Sequence, residues 1–476
     1  MNPDRTDPLL ARSAGFEEGT PVAGAVRGPG SKSMAQRILA AASVARGQTR
    51  LGGLPSSADV VGALRCARAL GARFPGGQRA DDPLAAALLR RGAAGELVGD
   101  PPTPAAAPRA WARLEPGESG TCARLFSALA ALARPEGSGS DVVPSGTLES
   151  RSSEPLFDAL RSAGAGVESS GGGGGWPALF TAVIPAGSIE LRHPVSSQEV
   201  SGLLLALASH AGERHLRVLG PIPSRGYVDM TVEVLGRFGG SVRAEPLACD
   251  SPDESGVLFT VRGPLVAPSE PIACEPDASA AAVALAAGAL SGGQRTWVDG
   301  VGTGSLQPDV AIAPCLEAFG CSTEGSGPDR LVVAGAPRRG AEVDCGASPD
   351  LAPVLAAVAA FAACRGLGGS TLTGLETLPG KECDRLSVLA EGLRALGLEV
   401  TQGAASLTIG DAPRRPRTGG EALVLDPKGD HRMVFFAALL SLFEPGVRCL
   451  EPGCVGKSWP GFWQDLVAAG GRLSTS

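Results

Sequence analysis

Aromatic residues are scarce in this chain, at 4% of 476 residues, and it has a single Tyr. Stacking platforms for single-stranded nucleic acid are therefore not expected. A net positive charge is also missing: 42 Lys+Arg against 49 Asp+Glu leave −7. Without a global basic field, any anion site must be built locally. The 11 Cys are odd in number and scattered, none forms a Cys-x-x-Cys pair, and only 4 His accompany them. Neither a zinc site nor a disulfide framework is expected. A reducing compartment, the cytoplasm, fits best. No apolar run is long and clean enough to span a membrane. Asp4, Asp7, Glu17 and Glu18 near the start argue against a signal or transit peptide.

What is abundant is small and structure-breaking: 67 Gly, 39 Pro, and a 43% hydrophobic content rich in Ala and Leu. The length suits two large domains or three average ones. Residues 1–20 read as a flexible lead. A short strand is expected at Val22–Val26. After it, short β-like segments alternate with apolar helices, an α/β pattern. Several segments read strand, turn, helix, then paired strands, which suggests a repeated unit of roughly sixty residues. Asp100–Ala112 (Pro/Ala-rich) and Ser169–Trp176 (five consecutive Gly) look like insertions or flexible linkers.

The stretch Gly28-Pro29-Gly30-Ser31-Lys32-Ser33-Met34-Ala35-Gln36-Arg37 organises the rest. Gly28-Pro29-Gly30 forces a turn, and a helix follows from Ser31 or Ser33. Lys32 would sit at a helix start, where free N–H groups already favour an anion. Ser33 and Arg37 lie one turn apart on one face. A nucleotide-type phosphate loop needs Gly directly before the Lys, and Ser31 fills that place. A capped surface helix with solvated cations is the plainer alternative.

Further helix starts carry similar residues. Gly120 and Arg124 share a face in Glu118-Ser119-Gly120-Thr121-Cys122-Ala123-Arg124, where ordinary capping competes as an explanation. Arg151 precedes another helix, as a solvated charge commonly does. Ser196-Ser197-Gln198 offers two hydroxyls and an amide, a neutral cradle for phosphate. Ser224 and Tyr227 stand together, Tyr227 being the lone Tyr. Asp350 opens a helix after Ser348-Pro349 and could merely balance its dipole. In Lys381-Glu382-Cys383-Asp384-Arg385, a helix would put Lys381 and Arg385 on one face, and a solvated charged face is the usual meaning. Asp430-His431-Arg432 precedes one more apolar helix, and Lys457 follows late. A net-acidic chain that places its cations at helix starts is gathering them around anionic ligands.

Pro-Gly-Ser-Lys-Ser-x-x-x-Arg (29–37), Ser-Gly-Thr-x-x-Arg (119–124), Ser-Ser-Gln (196–198), Lys-Glu-x-Asp-Arg (381–385), Asp-His-Arg-Met (430–433) and Lys457 occur in that order. Together they resemble the enolpyruvyl transferases, from about Val22 to Phe462, in the branch acting on shikimate 3-phosphate. The sister branch acting on UDP-N-acetylglucosamine has Lys-Asn where this chain has Lys32-Ser33. The resemblance implies a two-domain inside-out α/β barrel, each domain three repeats of a β/α unit, with helix starts facing a central cleft. The expected domains are 21–29 plus 273–476, and 30–272, the chain crossing twice.

The implied reaction moves the 1-carboxyvinyl group of phosphoenolpyruvate to the 5-hydroxyl of shikimate 3-phosphate and releases phosphate, in aromatic amino acid biosynthesis. No metal or organic cofactor is implied, nor nucleic acid or membrane partners, and a monomer is expected. By family role, Lys32, Ser33, Arg37, Ser196, Ser197, Gln198, Ser224, Tyr227, Asp350, Thr377 and Lys381 would bind shikimate 3-phosphate. Phosphoenolpyruvate would meet Lys32, Gly120, Arg124, Arg151, Gln198, Arg385, Arg432 and Lys457. Asp350 and Glu382 would be the acid–base pair, with Lys32 and Lys457 as alternative proton carriers. Four positions depart from the pattern: Ser152 for Pro, Thr377 for Asn, Gly429 for Asn, and Leu125 where some members have Pro. Two alternatives follow, a transferase for another phosphorylated hydroxyl acceptor or a silent metabolite-binding paralogue. Asp350 and Glu382 argue against the second, since a mere binder has little need of acids beside bound anions.

Overall fold

Six helices have no polar face to offer water. Lys32–Val44, Gly120–Leu132, Ser197–Ala208, Ala278–Leu290, Ala352–Cys364 and His431–Ser441 are buried on nearly every side. Helices this apolar must lie inside a domain. Their small Ala side chains let neighbouring backbones approach, and Ala has the best helix propensity. What escapes burial is concentrated in the first turn: Lys32 and Ser33, Thr121, Gln198, and Ser279. The helix starts are thus where these elements can meet a ligand.

The computed structural model describes residues 11–73, 94–98, 111–170, 174–247, 256–411 and 422–475. The chain forms two compact units, Met1–Pro29 with Pro276–Ser476, and Gly30–Glu275. In the unit Gly30–Glu275, the helix Gly120–Leu132 packs on Ser197–Ala208 and on Lys32–Val44. Among the described residues, three small sheets lie around them. One holds Ser241–Pro246, Gly256–Gly263, Gly212–Leu219 and Ser188–Arg192. Another holds Ile272–Ala273, Gln48–Gly52 and Ala94–Val98, and the third Ala112–Leu114, Gly139–Val142, Ala178–Thr181 and Gly166–Ser169.

In the other unit, Ala278–Leu290, Ala352–Cys364 and His431–Ser441 pack on one another. Among the described residues, three small sheets accompany them, holding Ser13–Phe16, Gly24–Ala25 and Glu342–Asp344 among their strands.

Four buried helices each join a parallel strand pair. Gly120–Leu132 links Ala112–Leu114 to Gly139–Val142, and Ser197–Ala208 links Ser188–Arg192 to Gly212–Leu219. Ala352–Cys364 links Glu342–Asp344 to Ser370–Thr373, and His431–Ser441 links Leu423–Leu425 to Val447–Leu450. Parallel pairing requires such a crossover. Each of these helices starts just beyond the carboxyl end of its strand, a recurrent place for ligands in α/β proteins.

Several expectations shift. The flexible lead does not extend to residue 20: Ser13–Phe16 is a buried strand between Val447–Leu450 and Leu473–Thr475. Ala14 is fully buried there, and Phe16 packs at a tilt against Trp463 and meets Phe462 edge-on. Residues 1–10 lie outside the described residues. The units divide at Glu275–Pro276, and Ile272–Ala273 pairs with Leu51–Gly52 within the unit Gly30–Glu275. The strand expected at Val22–Val26 is only Gly24–Ala25. Most of the Asp100–Ala112 stretch, and Gly171–Gly173 of the glycine run, lie outside the described residues. The end of that run is anchored: the Gly174 carbonyl accepts from Ser153 N at 3.0 Å, and Trp176 packs edge-on against Phe157.

Candidate active site

In the unit Gly30–Glu275, Ser31 caps the helix Lys32–Val44, its hydroxyl accepting from Met34 N at 3.3 Å. Lys32 is therefore at the positive end of a helix dipole, which opposes a cation. Asp59 offsets this with a carboxylate 3.1 Å from Lys32 Nζ. One turn on, Arg37 is 1% exposed. It donates to Thr231 Oγ1 at 2.9 Å and to the Ser33 carbonyl at 2.7 Å, and lies over the Tyr227 ring. Burial pulls its pKa down to about 10, so it remains a cation. Ser33, Arg37 and Tyr227 are thus one cluster. Ser224 lies just before the Tyr227 helix in the left-handed region, φ +49°, a strained conformation for a non-glycine residue.

A second cluster forms around Gly120. A Cβ there would lie 2.9 Å from Arg124 Nη1, 3.4 Å from Gln198 Oε1 and 3.7 Å from Arg151 Nη1. Arg124 donates to Gln198 Oε1 at 2.8 Å and to the Ser152 carbonyl at 3.0 Å. Gln198 in turn donates to Thr121 Oγ1 at 3.0 Å. Burial lowers the Arg124 pKa, Arg151 adds to that, and Glu199 opposes it. Ser196 caps the helix Ser197–Ala208 by accepting from Gln198 N, and Ser197 is buried beside it. Arg151 is not a solvated surface charge but stands beside Arg124 and donates to Thr147 Oγ1 at 3.2 Å.

The other unit holds a denser cluster. Asp350 lies in the short 3-10 helix Pro349–Leu351, directly before the buried helix Ala352–Cys364. Its Oδ1 accepts from Arg385 Nη1 at 2.8 Å, with Lys381 Nζ at 3.4 Å, and its Oδ2 accepts from Arg432 Nη2 at 2.9 Å. Burial alone would raise the Asp350 pKa. Arg432, Lys381 and Arg385 outweigh it and hold the carboxyl well below the usual carboxylate range. Arg385, 1% exposed, also donates to Asp430 Oδ2 at 2.7 Å and to Glu382 Oε2 at 2.6 Å. Burial works against its charge, but Asp430, Glu382 and Asp350 keep Arg385 protonated well above its ordinary value. Lys457 Nζ lies 3.6 Å from Glu382 Oε1.

The run 381–385 is therefore not a helical charged face. Lys381 follows the 3-10 helix Leu378–Gly380, and the α-helix begins only at Arg385, capped by Asp384. This break lets Lys381, Glu382 and Arg385 reach the same cluster. Thr377 precedes that 3-10 helix, and its buried hydroxyl has no hydrogen-bond partner among the described residues. Gly429, where the resemblance expected Asn, has φ +72°. Gly and Asn are the residues that adopt this conformation readily, so the change preserves the turn into Asp430.

Sequence reasoning missed several residues bound into these clusters. Asp59 pairs with Lys32, and Glu199 faces Arg124. Asp430 grips Arg385. Ser279 accepts from Arg432 Nη2 at 3.2 Å and itself donates to Asp309. The one available signal was at Asp430, already visible before Arg432.

The family model described as EPSP synthase (3-phosphoshikimate 1-carboxyvinyltransferase) matches residues 16–466. A 3-phosphoshikimate 1-carboxyvinyltransferase of Thiobacillus denitrificans is 35% identical over 453 residues, 92% of this chain and 95% of that protein. The solved EPSP synthase of Acinetobacter baumannii is similar in fold, with TM-score 0.70 and 22% identity over 98% of this chain and 99% of that one. The enolpyruvyl transferase NikO of Streptomyces tendae is similar too, with TM-score 0.68 and 19% identity over 98% of each chain. The chain belongs to the EPSP synthase (3-phosphoshikimate 1-carboxyvinyltransferase) family.

Proposed function

We propose that this protein transfers the 1-carboxyvinyl group of phosphoenolpyruvate to the 5-hydroxyl of shikimate 3-phosphate and releases phosphate. The observation that carries this reading is Asp350, a carboxylate held by Arg385, Arg432 and Lys381 beside a second carboxylate, Glu382. Such a cluster offers cations for an anionic substrate and carboxylates for proton transfer in one place.

The chemistry is addition, then elimination. The acceptor oxygen bonds to C2 of phosphoenolpyruvate, Asp350 takes its proton, and C3 receives a proton from the Glu382 side. The C2–O bond to phosphate then breaks, C3 returns its proton to Glu382, and the C2–C3 double bond re-forms. Lys457, beside Glu382, is the neighbouring proton carrier. Asp350 is a weak base while three cations hold it. An incoming phosphate and carboxylate compete for Arg385 and Arg432, which raises the basicity of Asp350 when substrate is bound.

In the other unit, Ser33, Arg37 and Tyr227 would hold the acceptor's carboxylate and ring. Ser196, Ser197 and Ser224 would hold its phosphate, with Gln198 alongside. Gly120, Arg124 and Arg151 would meet phosphoenolpyruvate, as would Lys32. Thr377 and Lys381 would take the acceptor's hydroxyls, the Thr377 hydroxyl, without a hydrogen-bond partner among the described residues, being suited to that. Each unit's three buried helices with three small sheets support the finer reading of an inside-out barrel of three repeats. A cytoplasmic monomer is part of the same proposal.

Thr377 also favours a second reading, in which the acceptor is another phosphorylated hydroxyl compound. Phosphate release from phosphoenolpyruvate, measured with shikimate 3-phosphate and with other phosphorylated alcohols, tests both. Release with shikimate 3-phosphate supports the first, and release only with another acceptor supports the second. Release with neither rejects both.

A further inference from the structure

Glu199 sits at the third position of the helix Ser197–Ala208 and is 0% exposed. Its Oε2 accepts from Val195 N at 3.0 Å, and the neighbouring Ser196 backbone favours the charged carboxylate. The bond to Val195, the residue before the cap, accounts for one oxygen. The other, Oε1, is buried without a hydrogen-bond partner among the described residues. It faces Arg124 Nε at 4.0 Å, and that nitrogen likewise has no hydrogen-bond partner there. The remaining Arg124 nitrogens are committed to Gln198 and Ser152. Two buried, opposite charges therefore face each other without closing a hydrogen bond, an arrangement a purely structural pair would avoid.

We propose that Glu199 is a positioning residue that couples the Ser196–Ser197 turn to Arg124, its charge setting how strongly Arg124 attracts an anionic substrate. This rests on the assignment of Arg124 to phosphoenolpyruvate. Burial pushes the Glu199 carboxyl up to about 7, against Arg124 and the backbone donors Val195 and Ser196. The helix it starts packs on Gly120–Leu132, Gly226–Arg237 and the strands Gly212–Leu219 and Gly256–Gly263. Of the charged groups on these elements, Arg124 is the one whose field acts on Glu199 among the described residues, with Arg151 acting on Arg124 in turn. Below neutral pH a protonated Glu199 leaves the Arg124 charge to the ligand. Above it, the carboxylate competes.

Glu199→Gln keeps an oxygen for the cap and removes the charge, whereas Glu199→Asp keeps the charge. The KM for phosphoenolpyruvate in the native enzyme, divided by that in E199Q, should rise about threefold to tenfold from pH 6 to 8.5. The ratio removes titration of the substrate itself. E199D should keep the native trend. A ratio independent of pH overturns the proposal and leaves only a capping role. Binding of inorganic phosphate to the whole protein, by calorimetry at both pH values, gives a readout without turnover. Tighter binding at pH 6 in the native protein than in proportion to E199Q supports the coupling, and identical pH dependence overturns it. If E199Q does not fold, the native protein and E199D decide. A shared weakening across pH 7 of the binding of sulfate, whose own charge is constant there, supports the proposal, and a flat native profile overturns it. Absent turnover with intact pH-linked phosphate binding would reject the reaction assignment and not the role of Glu199.

Discussion

Arg432 grips Asp350 twice, donating from Nη1 to its backbone carbonyl at 3.0 Å and from Nη2 to its carboxylate at 2.9 Å. A planar guanidinium bonded to both ends of one residue fixes where that carboxylate points. The helix start at Asp430 in turn fixes Arg432, whose backbone N–H donates to Asp430 Oδ1 at 2.8 Å. Orientation is thus passed from a helix cap to the proposed base.

Asp350→Asn should keep this geometry and lose proton transfer. Turnover should fall roughly 10²–10⁴-fold, with a much smaller change in KM for either substrate. Steady-state kinetics check this. Near-normal turnover would remove Asp350 from the acid–base pair.

Gly120→Ala should fold but displace Arg124, because the added Cβ lies 2.9 Å from Nη1, the far end of a flexible side chain. The expected result is a higher KM for phosphoenolpyruvate, roughly tenfold if one charge-assisted contact is weakened by about 1.4 kcal/mol. The KM for shikimate 3-phosphate should move less. Equal changes for both substrates would contradict the grouping of Gly120 with Arg124 and Arg151.

Asp309 predicts a pH-dependent stability. Burial pushes its carboxyl up to about 6; Asp350 and Asp277 add to this, while Arg432 and the Ser279 hydroxyl oppose it. The folded state therefore binds this proton more tightly than the unfolded state. Its contribution is fully present below about pH 4 and is lost as pH rises through about 6, on the order of 2–3 kcal/mol. Asp309→Asn should consequently gain stability relative to the native protein between pH 4.5 and 7.5, read from thermal midpoints. A difference constant across that range would show that Asp309 does not titrate there.

The buried helices were legible because each is a local run of small apolar residues, and their starts because Gly, Ser and Asp punctuate them. Ser13–Phe16 was not legible: four residues between charged neighbours carry no periodicity, and their burial comes from strands more than four hundred residues away. The same limit applies to the clusters. Lys32, Arg124 and Asp350 stood out by local context. Asp59, Ser279, Asp309 and Glu199 did not, because their partners come from other elements of the fold. The run 381–385 misled because Lys381, Glu382 and Arg385 turn into one cluster, a fact set by Asp350 and Asp430 rather than by spacing.

The most direct test of the account is the reaction of shikimate 3-phosphate with phosphoenolpyruvate in D2O, with the product followed by NMR. Addition before elimination makes C3 a methyl group for a time, so its hydrogens mix with solvent. Phosphate release is expected together with deuterium in the vinyl CH2 of the product, both falling in step in D350N. A product whose vinyl group carries no deuterium would contradict it, as would the absence of product.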